Sequence, residues 1–257
     1  PTADDVPGFW QALVRGSDGL GPVPEERWAP HWFLGFEGTP LAGAVRKLSF
    51  DERRFRIPPL TAGSMDRLQK MVLLAAEEAL VDASFDPARW DRERVGFVLG
   101  YGGVQVENDF RFALRPAGWL FREALGLELG SRLVPDSLER LQSEAFASVV
   151  GDVPPMSEDT LAGSLANVAA GRVMSHFDLK GPSWVVSAGD VSALAALEQA
   201  CDALRSGDCD AIITGGAQAL LDPVTYAGQL HEQRLSPERP APFTDQARGT
   251  VLGEGCA

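Results

Sequence analysis

The sequence predicts an α/β fold with a largely parallel sheet, and two observations carry that prediction. Gly181 to Ala217 reads as strand, helix, strand within about 35 residues, a βαβ pattern whose crossover makes its two strands parallel. Upstream, the β-rich run RVGFVLG ends in a glycine loop and follows a segment with strong helical periodicity.

The elements follow in order. From Pro1 to about Leu60 the chain is dense in Pro, Gly and Trp, with a short helix expected around FWQALVRG and then a long irregular excursion. From Met65, MDRLQKMVLLAAEEALVDA spaces its apolar residues as a helix does, and Pro87 falls in the loop behind it. Arg94 to Gly100 is a strand running into YGG. About Glu107 to Val150 reads as amphipathic helix broken at PAG, GLELG and VPDS. In VPPMSEDTLAGSLANVAAGRVMSHF, Ser157 or Asp159 is expected to cap one helix running through the Ala-rich stretch. FDLKGPSWVVSAG then gives a turn and a strand, DVSALAALEQACDALRSG a helix, and CDAIITGGAQ a buried strand. FTDQARGTVLGEG reads as a late strand entered through a glycine turn. There is no internal repeat or low-complexity linker.

Composition narrows the function. The 257 residues are 45% hydrophobic and 23% charged, which is globular, and long enough for one large domain or two small ones. With 36 acidic against 23 basic residues the net charge is −13, which argues against nucleic acid or a membrane surface as partner. No apolar run reaches the roughly 18 residues of a membrane span. Three cysteines make no disulfide framework, and with no signal-peptide pattern at PTADDVPGFW a reducing, cytoplasmic setting is expected. The chain opens at Pro1 and stops at GEGCA inside a Gly-rich stretch, as a segment of a longer polypeptide would.

The most informative feature is the corner where the strand SWVV turns directly into a helix, with Asp190 at the turn. A side chain there meets the partial positive charge of the helix N-terminus and unpaired backbone amides. Such corners suit nucleophiles, because the dipole favours a thiolate and the amides can hold an oxyanion.

At this corner the sequence resembles the β-ketoacyl synthases, the condensing enzymes of fatty-acid and polyketide synthesis. MDRLQK is similar to that family's Met-Asp-Pro-Gln-Gln-Arg stretch, and FDLKGPS, ALRSGDCDAIITGG, LSPE and FTDQARGTVLGEG follow in the family's order and approximate spacing. The segment from Asp109 to Val153 with PPMSEDTLAGSLANVAAGR looks most like the polyunsaturated-fatty-acid and iterative synthase branch. The resemblance implies a thiolase-like fold, with residues 1–257 forming its amino-terminal half, a mixed and mainly parallel sheet flanked by helices. It implies that acyl groups arrive on the phosphopantetheine of an acyl carrier protein, with no other cofactor. It also implies pairing with a homologous ketosynthase across the strand that carries the corner, and two catalytic histidines in the carboxy-terminal half. Alone, this half is expected to expose the surface its other half covers and to be poorly soluble.

One departure stands out. The family's corner reads Asp-Thr-Ala-Cys-Ser-Ser with the cysteine as acyl acceptor, whereas this chain reads Ser187-Ala188-Gly189-Asp190-Val191-Ser192. A carboxylate accepting an acyl group from a thioester would form a mixed anhydride, itself a reactive acyl donor. The structural alternative is that Asp190 caps the following helix, a role Asp fills well. An anion at this point also opposes the enolate formed when malonyl groups decarboxylate.

Several other residues have plainer roles. His31, His176 and His231 are read as surface or packing histidines, since no pairing suggests a metal site or a triad. Cys201 lies about three helical turns beyond Asp190, too far to replace a nucleophile. Cys209 opens a strand, neither it nor Cys201 has a CxxC partner, and Cys256 sits in the Gly-rich end. GYGG, at Gly100 to Gly103, lacks phosphate-loop spacing and reads as a strand-end turn. Arg46, Lys47, Arg53, Arg54 and Arg56 form a basic cluster in an acidic chain, suited to an acidic carrier protein or, more plainly, a solvated face offset by Asp51 and Glu52. Three functions compete: a non-condensing, chain-length-factor-like partner of an active ketosynthase, a condensing or acyl-transfer enzyme using Asp190, and an assembly or carrier-docking module.

Overall fold

The computed structural model describes residues 5–28, 40–102, 106–151, 153, 156–236 and 239–257, with 106–111 described by backbone alone. The first helix, α1 (Val6–Val14), is capped by Asp5, whose carboxylate accepts the Gly8 amide at 2.7 Å. Two short strands, β1 (Gly21–Pro22) and β2 (Leu41–Gly43), pair antiparallel. Next comes α2 (Pro59–Ser64), and then α3 (Arg67–Asp82) starts where Asp66 accepts the Leu68 amide at 2.8 Å. Strand β3 (Val95–Gly100) is buried along its whole length.

Helices α4 (Val106–Leu129) and α5 (Pro135–Val150) form a hairpin. The break expected at PAG does not occur, because α4 runs through Pro116. Its neighbour helix lies close enough to compensate: a Cβ at Gly118 would stand 3.0 Å from Val150 and 3.1 Å from Phe146. Packing along the hairpin overrides the local propensity.

The single helix expected over the Ala-rich stretch is instead two, α6 (Glu158–Ser164) and α7 (Ala166–His176), with Leu165 extended between them. Ser157 does stand at the N-cap of α6, but its hydroxyl makes no capping bond; instead its amide donates to the Thr160 hydroxyl at 2.8 Å, one half of a capping box. The break has a partner in the core. Fully buried Gln69 donates to the carbonyls of Ala162 (2.8 Å) and Leu165 (3.0 Å) and accepts from Arg172 at 2.9 Å. The carbonyls released by the break satisfy an amide that would otherwise be buried alone.

Strand β4 (Ser183–Val186), helix α8 (Ser192–Ser206) and strand β5 (Ala211–Gln218) are the predicted βαβ unit. Its strands are parallel as expected but do not touch, since β3 lies between them and pairs in parallel with both. After α9 (Pro223–His231) come two short strands, β6 (Leu252–Gly253) and β7 (Gly255–Cys256), in place of one late strand. The main sheet runs β4-β3-β5-β7, with β7 antiparallel, and a small sheet runs β1-β2-β6.

The two faces of the main sheet are covered unequally. Phe97, Leu99 and Tyr101 point to α3 and α7 and join Leu68, Met71, Val72, Leu73, Ala169 and Val173 in the principal core. On the other face, Val98 and Val186 meet Ala196 of α8. Alternation along β3 and β4 produces this split. Helix α8 buries its small residues, Ser192, Ala196, Ala200 and Ala203, and exposes Val191, Leu194, Leu197 and Leu204. It is therefore apolar on both sides, the pattern of a helix suited to lying between two layers.

Candidate functional site

The corner forms where the carboxyl end of β4 passes over the ends of β3 and β5. Small residues make that crossing possible. A Cβ on Gly100 would stand 2.4 Å from the Ser192 carbonyl oxygen, and one on Gly216 would stand 2.6 Å from the Ala193 Cβ. The glycines ending β3 and β5 thus seat the first turn of α8 directly on the backbone of the sheet. Gly102 extends the same seat, since a Cβ there would lie 2.2 Å from the Gly189 carbonyl oxygen. Of GYGG, Gly100 ends β3 and Gly102 helps hold the corner, while Gly103 lies outside the described residues.

The structure corrects the expectation that Asp190 caps the helix. The N-cap of α8 is Val191, and the helix begins without a side-chain cap. Asp190 is exposed, and its carboxylate has no hydrogen-bond partner among the described residues. The corner is tied by Ser192, which sequence reasoning did not single out. Its hydroxyl accepts the Ala188 amide at 2.9 Å and donates to the Gly189 carbonyl at 2.7 Å, and the side chain is almost wholly buried. The Ser192 amide also donates to the Gly189 carbonyl, at 3.2 Å. A serine at the head of a helix is a legible signal, but Asp190 two residues earlier drew the capping role on sequence grounds.

No cysteine stands at the corner. Cys201 lies nine residues along α8 from Ser192, roughly 14 Å by helical rise. Cys209 is buried, and burial pushes its thiol up. Cys256, on β7 opposite Ala217, packs against the principal core, and burial pushes its thiol up to about 12. A thiol held neutral in this way is a poor nucleophile. His176 ends α7 with its ring 4.9 Å from Phe55 and 4.6 Å from Phe177, a packing role as expected. His231 is exposed at the end of α9, and His31 lies outside the described residues. Among the described residues no cluster of His, Cys, Asp or Glu could hold a metal ion, and no helix is long and apolar enough to cross a membrane.

The basic cluster is exposed at Arg46, Lys47, Arg53, Arg54 and Arg56. The offset expected from Asp51 is not an ion pair: its carboxylate accepts the backbone amides of Arg53 (3.0 Å) and Arg54 (3.4 Å). Arg54 is paired instead with Glu77, at 2.9 Å. Beside the cluster lies an open cleft of about 350 Å³, with Leu48, Phe50, Pro59 and Lys70 in its walls.

Comparison with known proteins accounts for this arrangement. The model of the β-ketoacyl synthase N-terminal domain matches residues 1–257. The non-reducing polyketide synthase pkiA of Emericella nidulans is 28% identical over 99% of this chain, which covers 9% of that protein. A polyunsaturated fatty acid synthase from Thraustochytrium sp. is 27% identical over the whole chain, again 9% of its own length. The chain thus spans about a tenth of these curated relatives. Among solved structures, the ketosynthase from module 6 of the bacillaene synthase from Bacillus subtilis 168 superposes with TM-score 0.69 at 22% identity, covering all of this chain and 36% of its own. The oxazolomycin ketosynthase domain of Streptomyces albus JA3453 gives 0.71 at 26%, covering all of this chain and 40% of its own. The fold is that of the ketosynthases, thiolase-like, with mixed sheets flanked by helices. The chain belongs to the β-ketoacyl synthase family and matches its N-terminal domain over its whole length.

Proposed function

We propose that this domain is a ketosynthase-like member of a cytoplasmic fatty-acid or polyketide synthase that does not itself condense, and that it pairs with an active homologous ketosynthase and helps shape the acyl channel. One observation carries the reading. The corner is built, with its glycine seat and its Ser192 tie, and the exposed side chain it presents is the carboxylate of Asp190. That carboxylate has neither a capping role nor an ion-pair role among the described residues. By resemblance, position 190 is that of the acyl acceptor. A carboxylate there gives no stable acyl-enzyme, and its charge repels the enolate of decarboxylation.

Acyl groups would reach this site on the phosphopantetheine of an acidic acyl carrier protein. Arg46, Lys47, Arg53 and Arg56 have no ion-pair partner among the described residues and are available to meet it. They concentrate positive charge on a chain of net charge −13, so an acidic partner is steered to this face.

The experiment is acyl loading. The full-length protein is incubated with an acyl thioester beside a homologous ketosynthase, its intact mass is read, and any adduct is located by digestion. Loading of the homologue with no adduct on the peptide containing Asp190 is expected. An acyl group on Asp190 would make the domain an acyl-transfer enzyme with a carboxylate nucleophile. Unchanged product length when the domain is deleted from a working synthase would reduce it to an assembly module.

A further inference from the structure

The structure assigns to Ser192 the role of positioning residue for side chain 190, and this rests on the reading of position 190 as the acyl site. Three observations carry it. The Ser192 hydroxyl is almost fully buried, yet both of its hydrogen bonds go backward to the turn, one from the Ala188 amide and one to the Gly189 carbonyl. None goes forward into α8. Gly189 itself stands at φ +59°, in the left-handed region, so the chain reverses here and residue 190 is thrown outward. The seat leaves little slack, since a Cβ on Gly102 would lie 2.2 Å from the Gly189 carbonyl oxygen and 3.2 Å from the Ser192 hydroxyl.

The chemistry follows from where the lone pairs go. The Gly189 carbonyl, one residue before the acyl site, would present negative charge to any anion formed at position 190. Two donors from Ser192, its hydroxyl at 2.7 Å and its amide at 3.2 Å, occupy that oxygen and hold it toward the helix. Side chain 190 then meets the positive end of the 15-residue α8 dipole with the neighbouring carbonyl satisfied. Removing one oxygen atom from Ser192 leaves the carbonyl with only the longer amide bond at 3.2 Å and strands the Ala188 amide, while the rest of α8 keeps its own backbone bonds.

A thiol at position 190 reads this field directly, because alkylation tracks the thiolate fraction. In the full-length protein, Asp190→Cys is compared with Asp190→Cys/Ser192→Ala by pH-dependent iodoacetamide labelling, followed by digestion and mass spectrometry. The tryptic peptide after Lys180 also contains Cys201, which reports on the integrity of α8. In D190C the introduced thiol is expected to titrate below the free-cysteine value of about 8.5. Adding S192A is expected to raise that value and slow labelling at pH 7 about tenfold, with the Cys201 rate unchanged. Adding Ser192→Thr, which keeps the hydroxyl, is expected to restore the rate to within about threefold.

An ordinary thiol titration in D190C overturns the assignment, as does an unchanged labelling rate with S192A. So does a loss accompanied by faster Cys201 labelling, because Ser192 would then serve only the stability of the helix. These outcomes do not depend on acyl loading of the unmodified protein, so the positioning role and the non-condensing reading can fail separately.

Discussion

Replacing Glu254 with Gln is expected to loosen the whole amino-terminal excursion, although the two are more than two hundred residues apart in sequence. The Glu254 side chain is fully buried. One carboxylate oxygen accepts from Arg27 at 2.5 Å and lies 3.6 Å from Arg67, and the other accepts the Val45 amide at 3.1 Å. The two guanidinium side chains are only 11% and 20% exposed, so loss of the carboxylate charge leaves both largely desolvated beside neutral backbone carbonyls, Leu221 for Arg27 and Val45 for Arg67, in place of an anion at residue 254. Breaking a buried pair in this way costs about 3–5 kcal/mol, roughly a 100- to 4,000-fold rise in local opening. The backbone of residue 254 also holds β2, through the Gly43 carbonyl at 2.8 Å, so the opening should involve β2 and β6 together. Hydrogen exchange of the full-length protein, followed on peptides covering 41–45 and 252–256, reads it directly. Arg27→Met is expected to cost less, because Arg67 still faces the carboxylate. A loss of protection below tenfold in Glu254→Gln would refute the argument that this cluster anchors the excursion.

Three further expectations follow from the same structure. Gly100→Ala should displace α8 and cost about 3 kcal/mol, the upper end of ordinary overpacking, since a Cβ there meets backbone at 2.4 Å; a melting temperature within a degree or two of the unmodified protein would contradict it. Burial holds the Cys256 thiol and the Tyr226 hydroxyl each near 12, so both stay neutral in the fold while the unfolded chain ionises them earlier. Stability should therefore be flat near neutrality and fall as pH rises from about 9 to 12; a melting profile level to pH 11 would sink this. Reversing Arg53 and Arg56 to Glu should weaken binding of an acidic carrier protein and reduce its salt dependence, read by titration calorimetry at two ionic strengths; unchanged affinity would remove the docking role.

What the sequence made legible was local. Helix α3, the buried strand β3 and the β4–α8–β5 unit follow from periodicity, caps and glycine punctuation, although β5, expected to be buried, is only partly covered, with Ala217 its one buried residue. What it hid was set by distant partners. Helix α4 continues through Pro116 because α5 packs along it, and the chain breaks at Leu165 where Gln69, nearly a hundred residues earlier, takes the freed carbonyls. The order β4-β3-β5 was invisible because parallel crossovers fix strand direction and not which strand lies between. At the candidate site, the turn from β4 into α8 lies where the sequence places it, but the residue that ties it is Ser192 and not Asp190. Asp190 is the better N-cap by propensity, yet the left-handed turn at Gly189 aims it outward and leaves the inward position to Ser192.

The most direct measurement of the central claim compares acyl loading of the unmodified full-length protein with that of its Asp190→Cys variant, under the same acyl thioester. No adduct is expected on the unmodified corner and a thioester on the introduced thiol, because the glycine seat, the Ser192 tie and the α8 N-terminus are in place and the substitution supplies the acceptor. An adduct on Asp190 itself, or a D190C variant that stays unloaded while its fold is intact, would contradict that claim.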